Sequence, residues 1–517
     1  MCLYGQRVLS RNGWSVHFTS RDLPQLREGL WYLQIRPAEW ECWLDDQGIP
    51  DGTPYLLSPR YVYDVEPNSY LHRVDYLEGP LNSQRNRARA LAGYFTFLHR
   101  ARWGKEWRDA TEDDHRAYRH WRRQDAKGPR IGGSTWSQDT SHVFQFYKHA
   151  KRQKWVAEIP IPLREAKERA ASSGGRPVVT ESKKVPASYA HDEGGERIEW
   201  LPAAAYRRWR DVGVRGYDRD GLPRDNFRGR WASRNATFTD LLVRVGMRLE
   251  EQSTLLKSEI PLGEGPPGYS KFWLPKSIAK RDSARWVYAP ASSRRDLTAY
   301  ALEDRAAVVE EAQAAGRYQR IRRPLVISDP ESPRLAQYTS GVMARQWVDV
   351  RLLGPLERRR LLVDTEQGLE PAMFWLGEDG MPLALSTWKD MFTAANQRCE
   401  KAGLAERAHA HLCRHTFAVI TLEQLQRGHL AALGEMNPAQ RQHYQKIFGD
   451  PVDWIRRRLG HDSQMSTLIY LHALQELEME TRMALVPDTW EDPRDTPVVE
   501  LGDGTPPADL PEGAVTR

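Results

Sequence analysis

Two arginines, two histidines and a tyrosine stand in three fragments beyond residue 240 whose residue types and spacing could act on a phosphate. In LLVRVGMRLEEQSTLLKSEI (241–260), a Gly-Met pair delivers Arg248 early in a helix. In HAHLCRHTFA (409–418), His411 and Arg414 are three apart and share one helical face. RRRLGHDSQMSTLIY (456–470) ends in Tyr470, nine residues after His461. Guanidinium groups match phosphate oxygens bidentately and keep their proton. No run of paired carboxylates is present to hold Mg²⁺, so a two-metal phosphoryl-transfer site is not suggested. Attack on a phosphodiester by tyrosine is the chemistry that remains, with the arginines stabilising charge on the pentacovalent phosphorus. A free tyrosine has a pKa of about 10, so the phenol needs those cations or a base to become nucleophilic. His409, His411, Cys413 and His415 could also be read as metal ligands. A helix brings only His411 and His415 onto one face, so packing or support is the favoured reading of His415, and no metal or other cofactor is expected.

These fragments resemble the tyrosine recombinases (the phage integrase family). The family pattern has an arginine in G-[LM]-R-x-x-E, a hairpin lysine, a box of the H-x-x-R-H-T-F-A type, and L-G-H with a tyrosine nine residues on. Here the elements read GMRLEE (246–251), His411-Leu-Cys-Arg414-His-Thr-Phe-Ala, and Leu459-Gly460-His461 followed by Tyr470, in that order. The resemblance covers roughly residues 80–485, and the stretch from ARWVYAP through YALEDRAAVVEEAQAAGRY looks like integrases of mobile elements. It implies that Arg248 and Arg414 hold the non-bridging phosphate oxygens and that His411 and His461 donate hydrogen bonds to them. Lys280, at the turn of a hairpin, would protonate the leaving 5′-hydroxyl; it is favoured over Lys276 because it lies nearest the turn. Tyr470 would form a 3′-phosphotyrosine link, and Glu251 would fix the surroundings of Arg248. Two departures stand out. The interval from Arg414 to His461 is 47 residues, roughly twice the family's, with the excess around 428–454 read as an inserted helical element. Cys413 replaces a leucine.

The elements that must position these groups can be read from the rest of the 517 residues, a length that suggests several compact units. With 40% hydrophobic and 28% charged residues the composition is that of a folded soluble chain. No apolar run is long enough to cross a bilayer, so no membrane association is expected. The first residues lack the apolar core of a secretory signal, and four cysteines form no C-x-x-C pair; a cytoplasmic, bacterial protein, nucleoid-associated when bound to DNA, is the expectation. The predicted fold class is mainly α with a small β-hairpin or sheet. A small α+β extension of uncertain role (1–77) holds Trp14, Trp31, Trp40 and Trp43, read as core rather than as a base-stacking platform. A helical bundle (78–160) follows, with Leu91, Tyr94, Phe95 and Leu98 on one stripe and a second helix starting near Thr111. Then come a linker (161–195), a catalytic domain (196–486) with one strand–turn–strand signal in KFWLPKSIAK and ARWVYAP, and a flexible acidic, proline-rich tail (487–517).

The net charge of +6 is unevenly spread. Residues 81–155 carry 17 Lys or Arg against 7 Asp or Glu, the footprint of a polyanion-binding module. Residues 1–77 and the tail are net negative. The expected DNA-binding residues are Arg85, Arg87, Arg89, Arg122, Arg123, Lys148, Lys151, Arg152 and Lys154. By the resemblance, the bundle is a core-binding domain that clamps DNA opposite the catalytic domain. The resemblance further implies double-stranded DNA with a specific recombination site as partner and self-association on it, as a tetramer. Partner recombinases or accessory DNA-bending proteins would be further partners. A segment after the nucleophile (471–486) would be a helix that docks on the neighbouring protomer. Two other readings share the fold: a non-catalytic DNA-binding accessory protein, and a type IB topoisomerase-like strand relaxer. A degenerate relative should have lost the tyrosine or an arginine, and this chain retains both.

Overall fold

The computed structural model describes residues 13–20, 43–44, 46–165, 184–190, 198–225, 227, 229, 231–280, 283–339, 344–434, 450–461, 466–471 and 473, with only the backbone given for 428–434. The chain divides into two units, 1–196 and 197–517. It is mainly helical with small sheets.

In the first unit three helices form the bundle: α2 (Leu81–Ala101), α3 (Glu112–Arg123) and α4 (Gly133–Arg152), preceded by the short α1 (Val65–Leu71). The expected stripe of α2 is the core: Leu91, Tyr94, Phe95 and Leu98 are buried against Val143, Phe144, Phe146 and Tyr147 of α4. Thr111 starts α3 through a capping box, its hydroxyl and amide both bonding Asp114. The strands β1 (Ser15–Phe18) and β2 (Pro54–Leu57) pair antiparallel. They belong to the same core as the helices, because Trp14 packs its ring on Phe95 at 5.2 Å and its amide donates to Thr96 Oγ1. Buried Asn68 ties α1 to β2 by accepting from Leu56 N and donating to Leu56 O. Trp43 is about half exposed, whereas Trp31 and Trp40 lie outside the described residues. The two described ends of segment 161–195 fasten to this unit: β3 (Leu163–Glu165) pairs with β4 (Lys184–Pro186), and Trp136 Nε1 donates to Ser188 O.

In the second unit the aromatic core gathers α5 (Ala203–Trp209), α6 (Ala232–Val245) and, from later in the chain, α10 (Leu385–Lys401). Trp209, Phe238, Trp375 and Trp388 lie at its centre, with Phe238 stacked on Trp388. Helix α7 (Leu249–Ser253) leads to the hairpin of β5 (Tyr269–Leu274) and β6 (Arg285–Pro290), which the alternation of KFWL and RWVYAP anticipates. Helices α8 (Ala291–Leu302) and α9 (Asp304–Ala314) follow. A five-stranded mixed sheet was not anticipated. It consists of β7 (Leu325–Ile327), β8 (Leu335–Tyr338), β9 (Trp347–Asp349), β10 (Leu361–Thr365) and β11 (Gly368–Pro371), in the order β11-β10-β7-β8-β9. Only β10–β7 is parallel. Strands of three to five residues are too short for an alternating pattern to register against their turns. The last described elements are α11 (Ala410–Gly434), α12 (Pro451–Leu459) and a helical stretch at 466–471. Among the described residues no helix is long and apolar enough to cross a membrane.

Candidate active site

Two glycines set the site's geometry. Helix α6 ends at Gly246 (φ 66°) and α12 ends at Gly460 (φ 62°), both left-handed C-caps that favour glycine. A side chain at Gly246 would also meet the Phe417 ring at 2.2 Å, so the close approach of α11 requires the missing Cβ. Each cap turns the chain sharply into a candidate residue. Met247 is buried and Arg248 becomes the N-cap of α7, while His461 follows Gly460 directly.

Between the two caps lies Arg414, 2% exposed on α11. Its Nη1 donates to Gly246 O and its Nη2 to Leu459 O, so one guanidinium satisfies carbonyls at the ends of two helices that would otherwise lack donors. Among the described residues no carboxylate forms an ion pair with it. Burial and the nearby Arg248 charge push its pKa down to about 9. A guanidinium holds its proton in proteins, so burial beside a second cation leaves this pocket favourable to an anion.

Tyr470 is buried among Phe417, Val419, Leu422, Ile455 and Leu459. Its hydroxyl lies 3.0 Å from His415 Nδ1 in the same chain. The His461 ring stacks nearly parallel to the phenol at 6.1 Å, and the His411 ring meets His415 edge-on at 4.4 Å. Burial, then His411 and Arg414, lower the His415 pKa to about 4. Burial, then Arg414 and Arg248, do the same for His461. His411, more open to solvent, is lowered by partial burial and then by Arg414. Burial raises the Tyr470 pKa, against the pull of Arg414 and then Arg248. At neutral pH the pocket therefore holds neutral imidazoles, a protonated phenol and two guanidiniums. His461 is itself held by Thr467 Oγ1 at 3.0 Å from Nδ1.

Arg248 is held by Glu251, whose carboxylate accepts from Arg248 N and from Arg248 Nη1 at 2.7 Å. Glu251 is 1% exposed and has a second partner that sequence reasoning missed. Arg285 at the start of β6 donates through both Nη atoms to the two Glu251 oxygens, and through Nε to Arg458 O. Its signal was a lone arginine in an otherwise apolar strand register. Ser283 Oγ also accepts from Arg248 Nη1. Burial alone would raise the Glu251 pKa, but Arg285 and then Arg248 overcome it and hold the group at about 2. A depressed acid contributes stability above its unfolded pKa, near 4.5, and loses it as pH falls through the folded value. In urea unfolding, Glu251→Gln is therefore expected to cost most above pH 5, with its difference from the parent chain shrinking towards pH 2. A pH-independent difference would show that the carboxylate charge is not what holds this corner.

Lys280 lies exposed in the turn between β5 and β6, close enough for its charge to act on His411, and its carbonyl accepts from Ser283 Oγ. The insert at 428–454 falls largely outside the described residues, as do 471–486 apart from two positions, and the whole of 487–517. Of the nine cations expected on the bundle, several are engaged within their own unit. Arg85 lies over Phe18, Arg87 stacks on Tyr76 at 3.5 Å, and Arg122 pairs with Asp139. Lys148, Lys151, Arg152 and Lys154, at the end of α4 and just past it, are exposed, with Arg152 bonded to His149. Arg89 is exposed and Arg123 half-buried, near Ile131 O.

No protein-family model matches the chain, and no curated protein does. Solved structures similar to it include XerH site-specific recombinase bound to palindromic difH substrate in a post-cleavage complex, at 12% identity. The match covers 78% of this chain and 81% of that one, with a TM-score of 0.42. Tn1549 transposon integrase in complex with circular intermediate DNA matches at 12% identity over 80% and 97% of the two chains, TM-score 0.39. A lambda integrase dimer bound to a COC′ core site matches at 10% over 78% and 93%, TM-score 0.39. These neighbours are site-specific recombinases and integrases by their descriptions. At such identities and TM-scores the likeness transfers no residue role and no activity. What fold and site define by themselves is a mainly helical protein with a buried guanidinium, Arg414, that has no carboxylate partner among the described residues, beside a hydrogen-bonded phenol.

Proposed function

We propose that the chain is a tyrosine recombinase, a site-specific DNA-cleaving and rejoining enzyme of a mobile element. The observation that carries this reading is Arg414: buried, unpaired by any described carboxylate, and in the pocket where the Tyr470 hydroxyl meets His415. A DNA phosphate supplies the missing anion. Arg248 and Arg414 hold its non-bridging oxygens, and His411 and His461 donate to them. The Tyr470 oxygen forms a bond to phosphorus as the bond to the 5′-oxygen breaks. Lys280 gives the leaving oxygen a proton, and His415, whose Nδ1 faces the phenol, takes the phenolic one. With the proton on Nε2, a neutral His415 is a competent acceptor. The product is a 3′-phosphotyrosine that conserves the bond energy for rejoining, so no ATP is consumed. In this reading the exposed cations at the end of α4 hold duplex DNA, and strand exchange takes place in a tetramer assembled on a specific site, with any partner recombinase or bending protein recruited there.

The test is covalent trapping. The full chain, incubated in EDTA with nicked duplexes drawn from the DNA flanking its gene, is expected to yield a covalent protein–DNA species. Peptide mapping should then find the adduct on Tyr470. A strict Mg²⁺ requirement, or an adduct on another residue, would refute the mechanism.

A further inference from the structure

The outward face of the β5–β6 hairpin is unusual for a solvent-facing surface. Alternation along β5 turns Tyr269, Lys271 and Trp273 outward, and along β6 it turns Trp286 and Tyr288 outward. The register sets Lys271 directly across from Tyr288 and Trp273 across from Trp286. Tyr269 is 65% exposed, Trp273 43% and Trp286 45%. Two cations are built into this face. Lys271 Nζ sits 5.0 Å from the centre of the Trp286 ring, and the Arg458 guanidinium is clamped between Tyr288 at 3.5 Å and Trp454 at 4.3 Å. Among the described residues neither cation has a carboxylate partner. An aromatic ring occupies the flat face of a guanidinium and leaves its in-plane N–H donors free. Such a cation is pre-oriented yet uncompensated.

The face is also continuous with the candidate active site. Arg285 points inward from the same strand, grips Glu251 with its fork, and holds the carbonyl of Arg458 with Nε. The backbone of Arg458 thus belongs to the cluster that orients Arg248, while its side chain lies on the outward surface. The loop of this hairpin carries Lys280 and Ser283.

We propose that this outward hairpin face is a second DNA-contact surface, in which Lys271 and Arg458 each bind a backbone phosphate beside the scissile one while Trp273 and Trp286 pack against deoxyribose. The inference rests on the recombinase reading. Phosphate contact by clamped cations explains both the absent acids and the exposed rings. It also gives the hairpin a task apart from presenting Lys280, because the duplex is gripped on the far side of Arg285 from the reacting phosphorus.

The experiment measures binding of the full chain to a random-sequence duplex across a salt series, in a Tyr470→Phe background so that no covalent species forms. Removing one phosphate-binding cation lowers the slope of log K against log salt by about 0.9. Lys271→Gln alone, an exposed position, is expected to lower it by about 0.9, and Lys271→Gln with Arg458→Gln by about 1.8. Trp273→Ala is expected to weaken binding several-fold with the slope unchanged. An unaltered slope in both charge variants, with duplex binding intact, overturns the hairpin surface and leaves the recombinase reading standing. Absence of any duplex binding by the parent chain overturns both. A matching thermal midpoint for Lys271→Gln keeps the comparison independent of folding.

Discussion

Replacing Arg414 by leucine is expected to abolish strand cleavage and to lower stability by about 2–4 kcal/mol, even though the substitution removes a buried charge. Taking a cation out of a dry pocket relieves its desolvation, and isosteric apolar replacements of buried charges are often neutral for that reason. Here the guanidinium also satisfies Gly246 O and Leu459 O, each at the end of a helix. Leucine would leave two buried carbonyls without donors, at roughly 1–3 kcal/mol each. Arg414→Lys separates the two effects. An ammonium keeps the charge but cannot span two carbonyls that a planar fork reaches together, so stability should recover only in part. Cleavage should stay at least about 10²-fold down, the scale of losing one donor aimed at a developing charge. The checks are the urea midpoint and the trapped covalent fraction for both variants. Leucine at this position with parental stability and cleavage would remove Arg414 from the site altogether.

The sequence made the spaced residues of this site legible and hid the partners that hold them. Gly-Met-Arg and Leu-Gly-His are visible because a left-handed cap is a backbone requirement that glycine alone meets cheaply, and it leaves a mark at fixed spacing. Arg414 is visible for the same reason of spacing, within the first turns of a helix. Arg285 is not, because its role is defined by Glu251 and Arg458, residues 34 and 173 positions away. His415 shows the limit most clearly. One turn after His411, it reads as support for a neighbour, and only the fold brings Tyr470, 55 residues on, to its Nδ1. The five-stranded sheet escapes for a different reason, since its order β11-β10-β7-β8-β9 is a tertiary fact with almost no local signature. The charge footprint of 81–155 overstates the free cations for a related reason. Composition counts Arg122 and Arg87 equally with Lys151, although Asp139 and the ring of Tyr76 already engage the first two.

Glu251 and Arg414 divide one electrostatic problem between them. Three guanidiniums, Arg248, Arg285 and Arg414, lie around one buried carboxylate, and that carboxylate is taken up by the first two. The guanidinium left without a carboxylate partner is Arg414, which is bonded to the ends of two helices. In the recombinase reading a bound phosphodiester would offset one of the two surplus positive charges without rearranging the scaffold.

Tyr470→Phe should eliminate the covalent species completely while leaving duplex affinity within about twofold and costing only the hydrogen bond to His415, about 1 kcal/mol. His415→Gln is the more informative companion. The phenol stays protonated across the working range because burial raises its pKa, so under the proposed mechanism its attack needs a proton acceptor. His415, held at about 4, has its lone pair free at every pH above about 5. Single-turnover trapping by the parent chain should therefore be nearly flat between pH 6 and 8. Glutamine can accept a hydrogen bond but cannot take the proton, so in His415→Gln the phenol must lose it to solvent, and the trapping rate should rise close to tenfold per pH unit. A structural role alone would shift the rate without tilting the profile. A parent profile that already climbs tenfold per unit, matched by the variant, would assign the phenolic proton to solvent rather than to His415. Because the two residues meet within one chain, the same pair of measurements on mixed parent and Tyr470→Phe protein should show every cleavage-competent site carrying its own intact tyrosine.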